Sequence, residues 1–370
     1  MTAIRRWPWP FLFLLAGALI ATTRVLPAFT VSPTLVLVVF LPPLLFDAGF
    51  SMRAAAVRRE LTWILLLGLA GALLTAALVF GLLRLAGLPS DEALVLAAIL
   101  SATDPVSVFA TLRRLHTPER LRVALEGESL VNDGVAVVLF VVALAAVQRR
   151  LLDPPDVIGL FVSLTLGGVL TGAGFGLLIR RVLVSVPKPL QIAITVAAAY
   201  ASYLLADWIG ASGLLAVITM SVILGTAYAP STHHQVHRFW RQLGFAMSSV
   251  VFLLIGLQAR LDEVVRVGGR LLLLIASVLL ARALMVAVVT LARSDLWPWS
   301  WRLALVWAGL RGALSLALAL GVPAEVPVHD EIVVLAFGFV LVSLVVQGLS
   351  TGPVFHALGI SRQTAVTTVR

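Results

Sequence analysis

Apolar runs of about twenty residues follow one another along this chain, joined only by short polar stretches. LTWILLLGLAGALLTAALVF (61–80) is typical. A helix of that length matches the roughly 30 Å hydrocarbon core of a bilayer. Lipid offers backbone groups no hydrogen-bond partner, so only helices or a closed β-barrel can span it. Barrel strands alternate apolar and polar residues; these runs do not. Composition agrees, with 60% apolar residues, 12% charged and a mean hydropathy of +1.05. A soluble domain is nearer half apolar and a quarter charged. The chain reads as an all-α integral membrane protein.

About twelve spans are predicted: 11–26, 31–50, 61–87, 92–113, 121–147, 157–183, 189–206, 212–229, 243–258, 270–292, 301–321 and 331–352. The shortest are 11–26 and 243–258. Eighteen of the 27 basic residues fall on the side of the N-terminus, among them Arg5, Arg53, Arg113, Arg180 and Arg293. Seven fall on the other side, and Arg282 and Arg311 lie within spans. That asymmetry predicts an inner-membrane protein with both termini cytoplasmic. It also explains the net charge of +9 as a topology signal rather than a nucleic-acid surface. With no cysteine, disulfide and thiol chemistry do not arise. No cleavable signal peptide and no soluble domain are expected.

Most acidic residues are placed in loops. The exceptions are Asp47, Asp104, Glu128 and Asp133, with Glu126 at a helix start. A charge at the bilayer centre costs roughly 3 kcal/mol or more, so each needs a partner or an aqueous path. Structural ion pairs are the plain reading for Glu128 and Arg282. They do not suffice for Asp133, because cations are too few. In GESLVNDG (127–134), which reads as the mouth and first turns of a hydrophobic helix, Ser129 and Asp133 are four residues apart and share a face. Glu128 and Asn132 share the neighbouring face. Hydroxyl, amide and carboxylate oxygens suit a small hard cation. A carboxylate out of water can take a proton or a cation in its place, which is the minimum needed for exchange. Histidines fall in loops or at span ends, so no transition-metal site is expected. STHHQVHRFW reads as a loop whose His233, His234 and His237 are solvated rather than metal-bound.

Two spans are interrupted. In SATDPVSVFATL, Pro105 lacks an N–H and frees the carbonyl near Ser101. Asp104 would cap a new half-helix beginning at Pro105. One reading is a kink with a capping aspartate. The other is an unwound mid-membrane segment whose carbonyls, with the Thr103 hydroxyl, face an ion. In WRLALVWAGLRGALSLALAL, Gly309, Arg311 and Gly312 interrupt an apolar run. Arg311 either balances the facing half-helix ends or pairs with a carboxylate. Breaks at corresponding places in two halves point to an inverted-repeat transporter with a midplane site.

Four runs carry a resemblance: LPPLLFDAGF (41–50), SATDPVSVF (101–109), GESLVNDGVAVVLF (127–140) and RGALSLALAL (311–320). FWRQLGFAMSSVVFLLIGLQ (239–258) and LLARALMVAVV (279–289) add to it. In order and spacing they resemble the sodium/proton antiporters of the monovalent cation:proton antiporter 1 family. The resemblance covers the chain from about Trp7. It implies inverted repeats with two crossed broken helices, elevator-like alternating access and a homodimer. Core helices would lie at about 61–147 and 243–321 with further spans from both halves. Dimerisation helices would include about 11–50 and 157–206. It implies Asp133 as the ion- and proton-binding carboxylate, with Na⁺ held at Asp133, Ser129 and Thr103. Asp104 matches the broken-helix aspartate. Asn132 marks the electroneutral branch. Glu128 matches a glutamate that pairs with an arginine, here Arg282. Asp47 stands where relatives often carry glutamate, near the ion path.

Two departures follow from the same comparison. Relatives commonly carry one more helix before the first span, so either the protein lacks that helix or the sequence begins after it. Ser248 and Ser249 stand where asparagine is frequent. The expected activity is exchange of Na⁺, or Li⁺ or K⁺, for H⁺, one to one and without a cofactor. A K⁺/H⁺ antiporter is the nearest alternative. A channel, or a hydrolase built on Asp104 and Asp133, is a distant one.

Overall fold

The computed structural model describes residues 9–23, 32–104, 117–148, 153–225, 230–258, 261–291, 297–326 and 328–360. All regular structure among them is helical. The helices are α1 (Trp9–Thr23), α2 (Val36–Phe50), α3 (Ala55–Leu85), α4 (Ser90–Ile99), α5 (Glu119–Val147), α6 (Pro154–Ser185) and α7 (Lys188–Trp208). They continue as α8 (Gly213–Gly225), α9 (Pro230–Leu257), α10 (Leu261–Arg266), α11 (Gly268–Leu291), α12 (Trp299–Trp307), α13 (Ala313–Leu320) and α14 (His329–Ala357). Seven of them, α3, α5, α6, α7, α9, α11 and α14, are long and apolar enough to cross a membrane. Ten of the twelve predicted spans match the seven long helices and the shorter α1, α2 and α8. The other two are the interrupted ones. Pro105, Arg113 and the rest of span 92–113 after Asp104 lie outside the described residues. So do Arg24, Arg149, Arg150, Arg260 and Arg293.

Three expectations are corrected. The STHHQVHRFW stretch is helix rather than loop: α9 starts at Pro230, whose fixed φ suits a first helical turn. Val236 and Trp240, four residues apart, are buried, so this segment has an apolar face to pack. Its polar composition concealed that period. The side chains of His233 and His234 lie outside the described ones, while His237 sits on the helix beside Ser51. Second, α5 starts at Glu119, directly after Pro118. The polar residues 119–126 are therefore its own first turns, and Glu128 to Asp133 lie in its third and fourth turns rather than at its mouth and first turns. Third, Glu60 and Glu92 are helical and buried rather than in loops. Glu60 is bound by Arg120 at 2.7 Å. Glu92 is bound by Arg270 at 2.6 Å, which also reaches Glu331 at 2.7 Å, joining α4, α11 and α14.

The helices pack in two groups. In one, α9 lies on α1 and α2, and α8 lies on α2, α6 and α7. In the other, α3 lies on α5 and α11, and α4, α12, α13 and α14 gather round them. The groups touch where α5 meets α6 and α8, and where α9 meets α13. Residues 243–258 pack on α1 and α2 and also reach α13, one of the helices of the breaks.

Lipid gives no hydrophobic drive between helices, so close contact depends on small residues. A Cβ on Gly256 would fall 2.1 Å from the Leu14 carbonyl oxygen, and one on Gly17 would fall 2.2 Å from that of Leu253. Gly172 meets the Ala216 carbonyl oxygen in the same way at 2.2 Å. Gly174 has open space around it. Gly256→Ala is expected to part α1 from α9 at a cost of about 1–3 kcal/mol, read as a lower melting temperature in detergent. Gly174→Ala should leave the melting temperature unchanged or slightly higher. Equal melting of the two variants would contradict this packing.

Candidate functional site

The two breaks meet. Helix α4 ends at Ile99 and the backbone through Asp104 is not helical; α12 ends at Trp307 and α13 starts at Ala313. The Asp104 N–H donates to the Leu310 carbonyl at 2.7 Å, so one unwound segment supplies a partner the other lacks. The Arg311 side chain crosses over and donates from Nη1 to the Ser101 carbonyl at 3.0 Å and to that of Ala102. These carbonyls lie at the C-terminal, partly negative end of α4, where a cation is favoured. The side-chain hydrogen bonds of Arg311 thus go to carbonyls at a half-helix end. In return, the Asp104 carboxylate lies against Gly312, directly before α13. A Cβ on Gly312 would come within 2.5 Å of Asp104 Cβ, Cγ and Oδ2, so only glycine fits. Ser315 Oγ donates to the Ile99 carbonyl at 3.1 Å, completing the exchange of partners. Among the described residues of span 92–113, the backbone has left the helix by 100–104.

Helix α5 grips the first break through Asn132 and Ser129. Asn132 Nδ2 donates to Thr103 Oγ1 at 2.8 Å, while its Oδ1 accepts the Thr103 N–H at 3.3 Å. Ser129 Oγ donates to the Thr103 carbonyl at 2.9 Å and lies 2.9 Å from the Thr103 hydroxyl. All three side chains are buried. An amide can donate and accept at once, whereas a carboxylate only accepts.

Asp133, one residue on, also meets the Thr103 backbone. It lines a cavity of about 40 Å³ together with Thr103, Asp104, Gly312 and Ser315. Leu41, Leu44, Leu45 and Ser248 close it from the other helix group. That volume holds more than one water-sized particle. Asp133 Oδ1 is buried and has no hydrogen-bond partner. A charged oxygen left in this way is costly unless a proton or cation joins it. Of the expected site residues, Asp133, Thr103, Asp104 and Gly312 therefore gather round one space. Ser129 and Asn132 stand behind them, holding Thr103. Pro105 lies outside the described residues.

Glu128 and Arg282 pair, as the resemblance implied: Arg282 Nη1 donates to Glu128 Oε1. Arg282 also gives Nη2 and Nε to the Leu305 carbonyl at 2.9 and 3.2 Å, near the end of α12. Both residues are buried, so the pair holds α5, α11 and α12 together. Asp47 is half-buried and not part of the cavity wall. Ser51 Oγ donates to its Oδ1 at 3.4 Å and lies 2.9 Å from His237 Nε2. Among the described residues no three His, Asp or Glu side chains gather as a metal site.

Sequence reasoning passed over a support in α14. This helix contains a π-helical turn, Ser343–Gln347, a feature frequent at functional sites. Ser343 Oγ accepts the Arg311 N–H at 3.1 Å and donates to Gln347 Oε1 at 2.7 Å. Gln347 Nε2 donates to the Trp307 carbonyl at 3.5 Å. A glutamine inside the apolar run VLVSLVVQGL was the available signal.

The transmembrane family of sodium/hydrogen exchangers matches residues 2–357. The Na⁺/H⁺ antiporter ApNhaP of Aphanothece halophytica is 34% identical over 374 residues, covering 96% of this chain and 70% of that protein. The Na⁺/H⁺ antiporter NhaG of Bacillus atrophaeus is 32% identical, covering 97% and 72%. The structure of the sodium proton antiporter MjNhaP1 from Methanocaldococcus jannaschii at pH 8 superposes with a TM-score of 0.79 at 21% identity, covering 95% of this chain and 92% of that one.

Removing one partner of a buried ion pair leaves an uncompensated charge, at a cost of about 3–5 kcal/mol. Glu128→Gln should therefore destabilise strongly. Glu128→Gln with Arg282→Gln should cost clearly less than the two single variants added together. Additive losses in a melting or denaturant series would contradict the pairing.

Proposed function

The chain belongs to the sodium/hydrogen exchanger family, and from that premise we propose that it is a secondary transporter exchanging Na⁺ for H⁺ across the inner membrane, one for one, with Asp133 holding each in turn. The observation that carries this reading is the buried, unpartnered Asp133 oxygen facing a cavity between two groups of helices. One carboxylate carries one negative charge. A proton or a monovalent cation neutralises it equally, so each cargo returns the site to the same net charge. Exchange through that one group moves no net charge across the membrane. Asn132, the neighbouring neutral residue, adds no second titrating carboxylate and keeps Thr103 in place instead.

The remaining parts serve this cycle. Thr103 and Asp104 offer oxygen atoms to the cation, and Ser129 holds the backbone from which they project. The two half-helix ends, balanced by Arg311 and Asp104, keep the unwound backbone stable without water. Alternating access comes from motion between the α1/α2/α6–α9 group and the group holding the breaks. The first group also supplies the contacts of a homodimer. Both termini face the cytoplasm, in keeping with the arginine asymmetry. A hydrolase built on Asp104 and Asp133 would leave the paired breaks and Arg311 without a role.

Proteoliposomes containing the protein should move protons when Na⁺ is added, with the same initial rate whether the membrane potential is clamped or free. Li⁺ and K⁺, added in turn, rank selectivity. Asp133→Asn should abolish the flux in a protein that still folds. Proton movement that survives in that variant, or a rate that follows the potential, would refute the assignment.

A further inference from the structure

Several buried hydroxyls among the described residues satisfy themselves on a carbonyl of their own helix. Ser202 donates to the Ala199 carbonyl, Ser221 to that of Ile218, and Thr290 to that of Val286. A serine in a helix always has such a carbonyl within reach, three or four residues back. Ser249 uses it, donating to the Phe245 carbonyl at 2.8 Å. Ser248, its neighbour on α9, does not. Its side chain is 1% exposed and its Oγ has no hydrogen-bond partner.

Its direction gives the reason. Ser248 lines the cavity that Asp133 lines from α5 on the opposite side. Two buried polar oxygens, Asp133 Oδ1 and Ser248 Oγ, thus face one small space without a protein partner. A buried polar atom in that position indicates a particle that completes it. For a carboxylate and a hydroxyl together, that particle is a small hard cation, since both present oxygen lone pairs. We infer that Ser248 is a further ligand to the transported cation, donated across the cavity from the α1/α2/α9 group to an ion held by Asp133 in the other group.

This rests on the antiport reading above and extends it to specificity. The Asp133 carboxylate supplies charge, which Na⁺, Li⁺ and H⁺ neutralise alike. A neutral hydroxyl adds a fixed oxygen that a metal cation uses and a carboxyl-bound proton does not need. Because α9 belongs to the other helix group, the contact joins the two groups only while the cation is loaded in this arrangement. Ser248 then favours cation over proton in one state of the cycle.

Equilibrium binding of radioactive Na⁺ to purified protein tests this without relying on transport. Wild type, Ser248→Ala, Ser248→Thr and Asp133→Asn are compared, each also melted without Na⁺. Ser248→Ala should raise the Na⁺ Kd about tenfold, the worth of one ligand oxygen to a charge, with its Na⁺-free melting temperature unchanged. Ser248→Thr, which keeps the hydroxyl, should restore most of the affinity. If wild type binds Na⁺, Asp133→Asn does not, and Ser248→Ala binds as wild type does, the Ser248 assignment is overturned while the antiport reading stands. The same holds if Ser248→Ala and Ser248→Thr lose affinity equally. Wild type that binds no Na⁺, or Asp133→Asn that binds it unchanged, overturns both.

Discussion

Unwound backbone in the middle of a membrane survives only if its N–H and C=O groups find partners other than water. In this protein each break supplies them to the other. The Asp104 N–H goes to the Leu310 carbonyl, and the Arg311 guanidinium goes to the carbonyls of Ser101 and Ala102. Neither half would be stable alone, because each would leave several buried polar groups unsatisfied. Gly312 is what allows the approach, since any side chain there would overlap Asp104. The cavity beside Asp133 opens at this junction: Ala102 to Asp104 and Gly312 to Ser315 form one part of its wall, and Leu41, Leu44, Leu45 and Ser248 close it from the other helix group.

Around that junction, charge is divided by partner. Glu128 meets Arg282, Glu60 meets Arg120, and Glu92 meets Arg270. These pairs tie helices of the second group to one another. Arg311 is spent on half-helix carbonyls. Asp133 Oδ1 is left facing the cavity. The asymmetry between Glu128 and Asp133, five residues apart on one helix, separates a group that holds the fold from one placed to meet a cargo.

Much of this was legible in the sequence. Apolar runs fixed the helices, and the proline and glycine punctuation located both breaks within a few residues. The spacing of Ser129 and Asp133 located the right face of α5 but overstated what Ser129 does. Ser129 and Asn132 bond to Thr103, a partner 26 and 29 residues away, and no helical period reveals that. Glu60 and Glu92 were misplaced because they stand near helix starts in sequence, where exposure is the usual expectation; their arginine partners come from other helices. The start of α9 was missed because a polar stretch with histidines conceals the Val236–Trp240 face. Which helices pack together is set by close contacts such as Gly17 with Leu253, and these are tertiary facts. The π-helical turn in α14 left only one trace, Gln347 in an apolar run.

The claim at the centre is that one carboxylate serves both cargoes. Cation binding to a protonated carboxyl must expel its proton. Adding NaCl to purified, salt-free protein in weakly buffered detergent, near the pH where half the sites are protonated and against a choline chloride control, measures this directly. Extrapolated to fully protonated sites, release of about one proton per chain bound to one Na⁺ is the predicted result. Two protons per Na⁺, or Na⁺ binding with no proton release at any pH, would contradict it.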